Sequence, residues 1–423
     1  MRCVTPKTAT SSRPTAGAAA AFFCALLLAA AAQAADDEVR PGTYRVVLQS
    51  PGGDLPFAFE LERAADGWVG HLINGRERVR VDEITVNGAR IDIKMPGYEN
   101  HLTAVATNDR WSGELVLDKL GGKDQHIPVT AQRSQTFRFF PGGKGPAADV
   151  EGRWSVTFTD DGGKTEAGVA ELSQSRGTVT GTVLTDTGDH RYLAGQVRDH
   201  ELYLSTFDGA HVFLYKAQLG PDGSLAGDFW SGTAFHERWT AKRDPRAALP
   251  DAYSLTRMRD GGKAFEFAFP DLSGRVVKST DPKFRDKVVI IALAGSWCPN
   301  CHDEAAFLEP LYRDYQARGL EIVALMFEHS GDFARAAEAT ERFRKQYGIE
   351  YSTLIAGVSD KDEAAKKLPM LDRVHAFPTM IVVDRKGRVQ MIHTGYSGPA
   401  TGAHYTDFVA EFKHNLDRLL AES

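Results

Sequence analysis

This sequence of 423 residues contains few cysteines and has no excess of positive charge. Its four cysteines are too few for a scaffold held together by disulfides. Its 50 lysines and arginines are outnumbered by 56 aspartates and glutamates, so the formal net charge is −6. A nucleic-acid partner would need a concentrated basic face, and the composition argues against one. The hydrophobic fraction of 42% is ordinary for globular domains and excludes wholesale disorder.

The N-terminal segment has the three parts of an export signal. A basic start without acidic residues precedes an apolar run over 18–32, and small residues around Ala34 follow. This order predicts a signal peptide over 1–35 that is cleaved after Ala34 or Ala35, and hence an exported, periplasmic protein. The apolar run is short for a bilayer span, and an uncleaved membrane anchor is the alternative.

Cleavage would leave two cysteines in the mature protein. Cys3 and Cys24 lie within the predicted signal, so only Cys298 and Cys301 would remain. Two cysteines three positions apart cannot connect distant segments, which excludes a framework role. The remaining possible roles of this pair are redox chemistry, metal ligation and haem attachment.

Two stretches of the chain look like copies of one unit. Their ends match at a common offset of 110 residues: PGTYRV at 41–46 with EGRWSV at 151–156, and TAQR at 130–133 with TAKR at 240–243. Apolar and polar residues alternate within both stretches, and glycine-containing turns separate the runs. The pattern predicts two repeated antiparallel all-β domains, barrel- or sandwich-like, over 36–134 and 150–243, with about eight strands each.

The β domains show no cluster of acidic, histidine or serine side chains, so we expect them to recognise a partner or ligand rather than to catalyse. Large aromatic residues could line a cavity there, although core packing is their more common role. The aromatic residues in question are Tyr44, Trp68, Trp111, Trp154, Trp230 and Trp239.

A linker over 244–263 leads to a region with a different pattern. Residues 287–294 form a continuous apolar run, typical of a strand buried on both faces. A helix is predicted from Pro299 to about Arg318, and strands and helices alternate after it. This alternation predicts a βαβ layout around a mixed sheet over 264–423.

The segment GSWCPNC at 295–301 lies where the buried strand ends and the helix begins. Cys298 would occupy the helix N-terminus, where free amide N–H groups and the positive end of the dipole favour a thiolate. Cys301 lies one turn further on the same face. We therefore predict that Cys298 attacks a disulfide and that Cys301 resolves the intermediate. No metal, nucleotide or flavin site is evident, so no cofactor is expected.

Trp297-Cys298-Pro299-Asn300-Cys301, followed by Phe377-Pro378-Thr379 before a strand, resembles the thioredoxin superfamily. The stretches 267–274 and 319–324 are similar to the exported TlpA/ResA-like thiol–disulfide oxidoreductases. The resemblance implies an α/β thioredoxin-like fold over 264–423. It also implies that Pro378 is a cis-proline facing the cysteines, with Trp297, Phe377 and Pro378 contacting the substrate.

Glu304 shares a helical stripe with Leu308 and Leu311, which indicates that it points to the interior. A half-buried carboxylate would have a raised pKa and could exchange a proton with Cys301. The acidic residue of the family also falls at this position. The alternative is a surface glutamate that the helix dipole stabilises.

Two other functions fit parts of the motif. CPNCH at 298–302 matches the pattern of c-type haem attachment, although the βαβ context argues against it. His302 is instead predicted to lie on the solvent side. A peroxiredoxin-type peroxidase would share the fold, yet Gly295 stands where that chemistry usually has threonine.

The resemblance thus implies an exported disulfide reductase. Its partners would be protein or small-molecule disulfides and a thiol electron donor, such as a membrane thiol–disulfide conduit.

Overall fold

The computed structural model describes residues 38–118, 123–142, 147–259 and 264–422. The predicted signal peptide over 1–35 lies outside these residues, as does the end of the predicted linker over 244–263. The described chain forms two large antiparallel sheets and then a mixed sheet with helices. Within the described ranges, no helix has the length and apolar character needed to cross a membrane.

The first large sheet is an antiparallel meander. Its strands are β1 Gly42–Ser50, β2 Gly53–Ala64, β3 Gly67–Asn74, β4 Glu77–Val81, β5 Ile84–Asn87, β6 Arg90–Lys94, β7 His101–Thr107, β8 Arg110–Leu117 and β9 Gln125–Arg133. They lie in the order β4-β3-β2-β1-β9-β8-β7-β6-β5. Every second residue of β7 is buried, because alternate side chains of a strand point to opposite faces.

The second large sheet closes on itself. Its strands are β10 Gly152–Thr159, β11 Thr165–Ser175, β12 Thr178–Thr185, β13 Gly188–Asp189, β14 Leu193–Arg198, β15 Glu201–Phe207, β16 Val212–Leu219, β17 Leu225–Ser231 and β18 Phe235–Arg243. Their order is β11-β10-β18-β17-β16-β15-β14-β12-β13, and β11 also pairs with β12. That pairing makes the sheet a barrel without open edges, to which the two-residue β13 is attached.

The prediction of large all-β sheets is confirmed, and the second sheet has the predicted barrel form, but the strand count differs. Each sheet has nine strands within the described residues, against the eight expected, and β13 is too short to show an alternating pattern. The register agrees with the offset of 110, because Tyr44 pairs with Arg133 and Trp154 pairs with Arg243. Duplication of the unit and its domain boundaries stay predictions.

The aromatic residues singled out in the β region belong to the cores. Tyr44, Trp111, Trp154 and Trp239 are buried, and Trp68 and Trp230 pack against the core of the first sheet. That core also takes in Phe207, Val212 and Leu214 from β15 and β16. The two large sheets therefore share buried apolar surface.

The C-terminal region has the predicted mixed sheet with helices. Its elements are β19 Ala268–Pro270, β20 Val276–Lys278, β21 Val288–Ala294, α1 Pro299–Tyr315, β22 Leu320–Glu328, α2 Phe333–Tyr347, β23 Ser352–Val358, α3 Lys361–Lys367, β24 Thr379–Val383, β25 Val389–Thr394 and α4 Ala403–Ala421. The main sheet has the order β23-β22-β21-β24-β25, in which β21 and β22 are parallel and β21 and β24 antiparallel. All seven residues of β21 are buried, as a strand covered on both faces requires.

Two details of this region differ from the prediction. The α-helix that begins at Pro299 ends at Tyr315, and a 3-10 turn over Gln316–Arg318 follows it. The sequence analysis did not predict α3, because its residues KDEAAKK carry no apolar stripe and only Ala364 is buried.

Candidate active site

The two cysteines lie at the junction of β21 and α1. Cys298 is the N-cap residue of α1, and its carbonyl oxygen accepts the N–H of Cys301 at 3.0 Å. Pro299 occupies the first helical position, where a missing N–H costs nothing. Both side chains are free thiols, with Cys298 5% and Cys301 1% exposed. The N-terminal cysteine is therefore the more accessible one.

The loop before β24 faces this junction. The thiol of Cys298 donates to the carbonyl oxygen of Phe377 at 3.5 Å, and the peptide bond between Phe377 and Pro378 is cis. The Trp297 ring packs edge-on against Phe377, with ring centres 6.0 Å apart. The structure thus brings together the residues that sequence analysis predicted as substrate contacts; their role stays a prediction.

Glu304 lies in the interior, as its helical stripe predicted. It is 2% exposed, and its Oε1 has no hydrogen-bond partner among the described residues. Burial raises the pKa of Glu304 to about 8. Burial raises the pKa of Cys301 well above its usual range, and the Cys298 thiol and the Glu304 carboxylate add to this shift. The charge of the buried acid therefore affects the protonation of the buried thiol.

A second buried carboxylate holds the turn that precedes the cysteines. Glu328, at the end of β22, accepts hydrogen bonds from the Ser296 amide at 3.0 Å and the Ser296 hydroxyl at 2.7 Å. The nearby Trp297 indole N–H donates to the Phe327 carbonyl at 2.8 Å. Glu328 was not predicted as a site residue, although a polar residue at the end of an apolar strand could have indicated it.

The prediction of a solvent-side His302 is wrong. Its ring is 1% exposed and stacks on Tyr98 of the β6–β7 loop, with ring centres 4.2 Å apart. Nε2 lies 2.7 Å from the Ser296 carbonyl, and Nδ1 lies 2.9 Å from the Tyr347 hydroxyl. Burial lowers the pKa of His302 to about 4. The ring is thus neutral, and both of its nitrogens are occupied.

The barrel reaches the motif through the turn over 185–191, called here the barrel turn. Gly188 of this turn forms a parallel bridge with Tyr396, and the Asp189 carboxylate accepts the Gly398 amide at 2.6 Å. A Cβ at Gly188 would overlap the side-chain amide of Asn300 between the two cysteines. The barrel therefore packs directly on the Pro299-Asn300 dipeptide.

A buried arginine in the barrel turn joins three parts of the chain. Arg191 contacts Glu77 of the first sheet at 2.7 Å, Asp208 of the second at 3.1 Å and Asp303 of α1 at 2.5 Å. Burial raises the pKa of Asp303 to about 7, although Arg191 acts in the opposite direction. The ion pairs fix both β sheets next to the residue that follows His302.

Beside the motif lies a cavity of about 680 Å³, called here the central cavity. The barrel contributes aromatic walls, including Phe158, Phe213 and Phe229, and the redox side contributes Trp297 and Pro299. Sequence analysis did not find these phenylalanines, since they alternate along strands in the same way as core residues do. Taken together, the geometry describes a dithiol at a strand–helix junction opposite a cis-proline, in a thioredoxin-like fold.

Comparisons with known proteins agree with a dithiol site in a thioredoxin-like fold. Residues 261–392 match the model of the AhpC/TSA family. The thiol-disulfide oxidoreductase ResA of Geobacillus thermodenitrificans is 29% identical over 140 residues, which cover 33% of this chain and 72% of that protein. ResA of Bacillus anthracis is 29% identical over 133 residues, or 31% of this chain and 68% of that protein. The C-terminal region is thus similar to the AhpC/TSA family over residues 261–392, and the predicted resemblance to ResA-like proteins is confirmed.

Among solved structures, a thiol:disulfide interchange protein of the thioredoxin family from Chlorobium tepidum is similar to 37% of this chain and 95% of its own length. Its sequence identity is 19% and its TM-score is 0.29.

Proposed function

We propose that this protein is an exported thiol–disulfide oxidoreductase that reduces disulfides through Cys298 and Cys301. The observation that carries the proposal is the position of Cys298, on the N-terminus of α1 and 3.5 Å from the Phe377 carbonyl before Pro378. The names of the ResA relatives support the same activity. The composition of residues 1–35 supports export.

The reaction proceeds in two exchanges. The Cys298 thiolate attacks one sulfur of the substrate disulfide, forms a mixed disulfide and releases the other substrate sulfur as a thiolate, which takes up a proton. Cys301 then loses its proton and attacks Cys298, which forms the disulfide between the two cysteines and releases the second substrate thiol. A thiol donor returns the pair to the reduced state by the reverse sequence.

Glu304 is proposed to serve as the proton acceptor for Cys301. The Cys301 thiol is buried with a raised pKa, so its deprotonation requires a nearby base. Glu304, with a pKa of about 8, is mostly protonated at neutral pH, and its ionised fraction, about one molecule in ten at pH 7, can accept the proton. That balance suits a group that takes up and returns a proton in alternate half-reactions.

Two observations favour this function over the alternatives. A Cβ at Gly295 would overlap the Trp297 indole and lie 2.8 Å from the Phe327 carbonyl, so the threonine expected of a peroxiredoxin-type peroxidase does not fit there. His302 has both ring nitrogens occupied, which argues against the haem-attachment alternative.

Trapping of the mixed disulfide tests the proposal. The Cys301→Ser variant is expected to accumulate a covalent adduct with a disulfide substrate such as insulin, because the resolving sulfur is gone. The Cys298→Ser variant is expected to form no such adduct. Adducts of equal yield in both variants, or a wild-type protein that consumes peroxide but no disulfide, would contradict the proposal.

The β sheets are proposed to recognise the partner. They hold the barrel turn against Asn300 and form most of the walls of the central cavity, so a substrate that reaches Cys298 also meets the barrel. The proposed partners are protein disulfides and a thiol electron donor.

A further inference from the structure

The central cavity has the size and the walls of a binding pocket. Its volume of about 680 Å³ lies within the range of sites that enclose a drug-sized group. Phe158, Phe213 and Phe229 pack on one another around His190, whose ring stacks on Phe229 at 5.2 Å. These apolar faces favour a large apolar group of the ligand.

A polar atom is available within the aromatic walls. Nδ1 of His190 is hydrogen-bonded to the Tyr215 hydroxyl, which leaves Nε2 as the ring nitrogen that a ligand can contact. Burial lowers the pKa of His190 to about 3, so this histidine adds no positive charge to the cavity.

The described residues that line the cavity carry more negative than positive charge. Among them are the carboxylates of Glu99, Asp118, Glu166 and Glu237 and the guanidinium of Arg342. Arg342 already forms an ion pair with Glu99.

The carboxylates of Glu166 and Glu237 form no hydrogen bond or ion pair with a described residue. Desolvation raises the pKa of Glu237 and the negative charge of Glu166 adds to it, while Lys164 acts in the opposite direction. A positive group between these two carboxylates would relieve their repulsion.

The barrel turn packs beside the two cysteines. It covers Asn300 and Tyr396 on one side, and the Asp186 carboxylate near its start is hydrogen-bonded to His375 Nε2 at 2.9 Å, two residues before Phe377. The cavity lies on the other side and reaches Trp297 and Pro299, the neighbours of Cys298 in the chain. A substrate that fills the cavity therefore contacts the residues on both sides of the attacking cysteine in the chain.

We propose that the central cavity is the substrate pocket of the redox pair and takes a positively charged polypeptide segment with a large apolar side chain beside its disulfide. This inference rests on the proposed function and specifies its substrate. It excludes anionic disulfides such as glutathione disulfide as preferred substrates.

Two synthetic peptides test the inference on the full-length protein. They have equal length and the same disulfide; one carries phenylalanine and lysines beside it, the other glycine and glutamates. We expect the wild type to reduce the basic peptide with a kcat/KM about tenfold higher, and this ratio to fall as salt screens the charges. Uncharged 2-hydroxyethyl disulfide serves as the reference substrate.

The double variant Glu166→Gln/Glu237→Gln is expected to lower the ratio about fivefold, because it removes the paired carboxylates. Phe235→Ala is expected to raise KM for the basic peptide, since this ring is 48% exposed and lines the cavity. The matched control is Glu62→Gln/Glu151→Gln, which makes the same charge change at exposed positions outside the cavity and should leave the ratio unchanged.

Equal kcat/KM for the two peptides in the wild type would overturn the inference. A ratio of kcat/KM that falls equally in the double variant and in its control would also overturn it. If 2-hydroxyethyl disulfide is still reduced in either case, the proposed function stands and only the substrate class is wrong. A wild type that reduces none of the three disulfides would overturn both.

Discussion

At the scale of single residues, the most unusual group of this protein is the Glu304 carboxyl. It is buried beside a buried thiol, and its Oε1 has no hydrogen-bond partner among the described residues. Buried acids without partners are unfavourable when ionised, so their presence calls for a functional reason. The proposed proton exchange with Cys301 would supply that reason.

Glu304→Gln is predicted to flatten the pH dependence of stability. The folded-state pKa of about 8 lies above the unfolded value of 4.5, so the folded state binds more protons in this window and stability falls as pH rises through it. The difference corresponds to at most about 5 kcal/mol. The free energy of urea unfolding, measured between pH 4.5 and 8.5, should decline less in the variant. A decline as steep as in the wild type contradicts the assignment. Glu338→Gln, at an exposed position of α2, is the control.

The same substitution is predicted to make Cys301 more acidic. The charge of Glu304 raises the pKa of the Cys301 thiol, and a neutral amide removes that contribution. Thiol titration of the reduced Cys298→Ser background, followed by absorbance or by alkylation rate, measures the shift. An unchanged Cys301 pKa would remove Glu304 from the mechanism.

Local patterns in the sequence predicted the cysteine pair and the burial of Glu304, and the resemblance to the thioredoxin superfamily implied the cis-proline. Each depends on spacing within one helix or on a motif with its own local geometry. His302 was misassigned because the ring of Tyr98 that covers it comes from the β6–β7 loop, about 200 residues earlier in the chain, and helical spacing carries no information about such a partner.

At the scale of elements, the barrel turn is the feature that most affects the site. It holds Gly188 at φ +152° where a side chain would overlap Asn300. Alternating patterns and turn residues predicted the strands of the barrel, but the two residues of β13 show no pattern. The docking of this turn depends on the assembled sheets and could not be read from the sequence.

Gly188→Ala is predicted to displace the barrel turn and to expose Cys298. The added methyl group meets both Asn300 and the Tyr396 carbonyl, so the turn must move away from the motif. The rate of Cys298 alkylation should rise by about two- to tenfold, as expected when a local contact opens more often. Gly163→Ala is a matched control, since Gly163 also has a positive φ of +83° but no atom lies within 4 Å of its Cβ position. Equal rates in the two variants would contradict the prediction.

At the scale of the whole molecule, the two β sheets and the thioredoxin-like domain form one connected structure. The sheets share a core around Phe207 and Leu214, and Arg191 ties both of them to α1 through Asp303. The sequence predicted the two types of architecture from their different periodicities. It could not predict the contacts between them, because these join residues that are distant in the chain.

Arg191→Leu is predicted to destabilise the protein by about 3–5 kcal/mol, the usual cost of leaving buried charges without their partner. Three carboxylates lose their cation in this variant. Arg176→Leu is the matched control, because Arg176 has a similar φ of +56° in the same barrel and an exposed side chain. The urea midpoint should fall in the first variant and stay near the wild-type value in the second. Equal midpoints would show that the Arg191 ion pairs do not stabilise the contact of the two β sheets with α1.

The central claim is that the two sulfurs at the start of α1 cycle between a dithiol and a disulfide. A redox titration of the full-length protein in glutathione buffers, with alkylation and mass spectrometry to count free thiols, tests it most directly. The account predicts one two-electron transition in which Cys298 and Cys301 lose their thiols together. Thiols that stay free at every ratio of oxidised to reduced glutathione would contradict it.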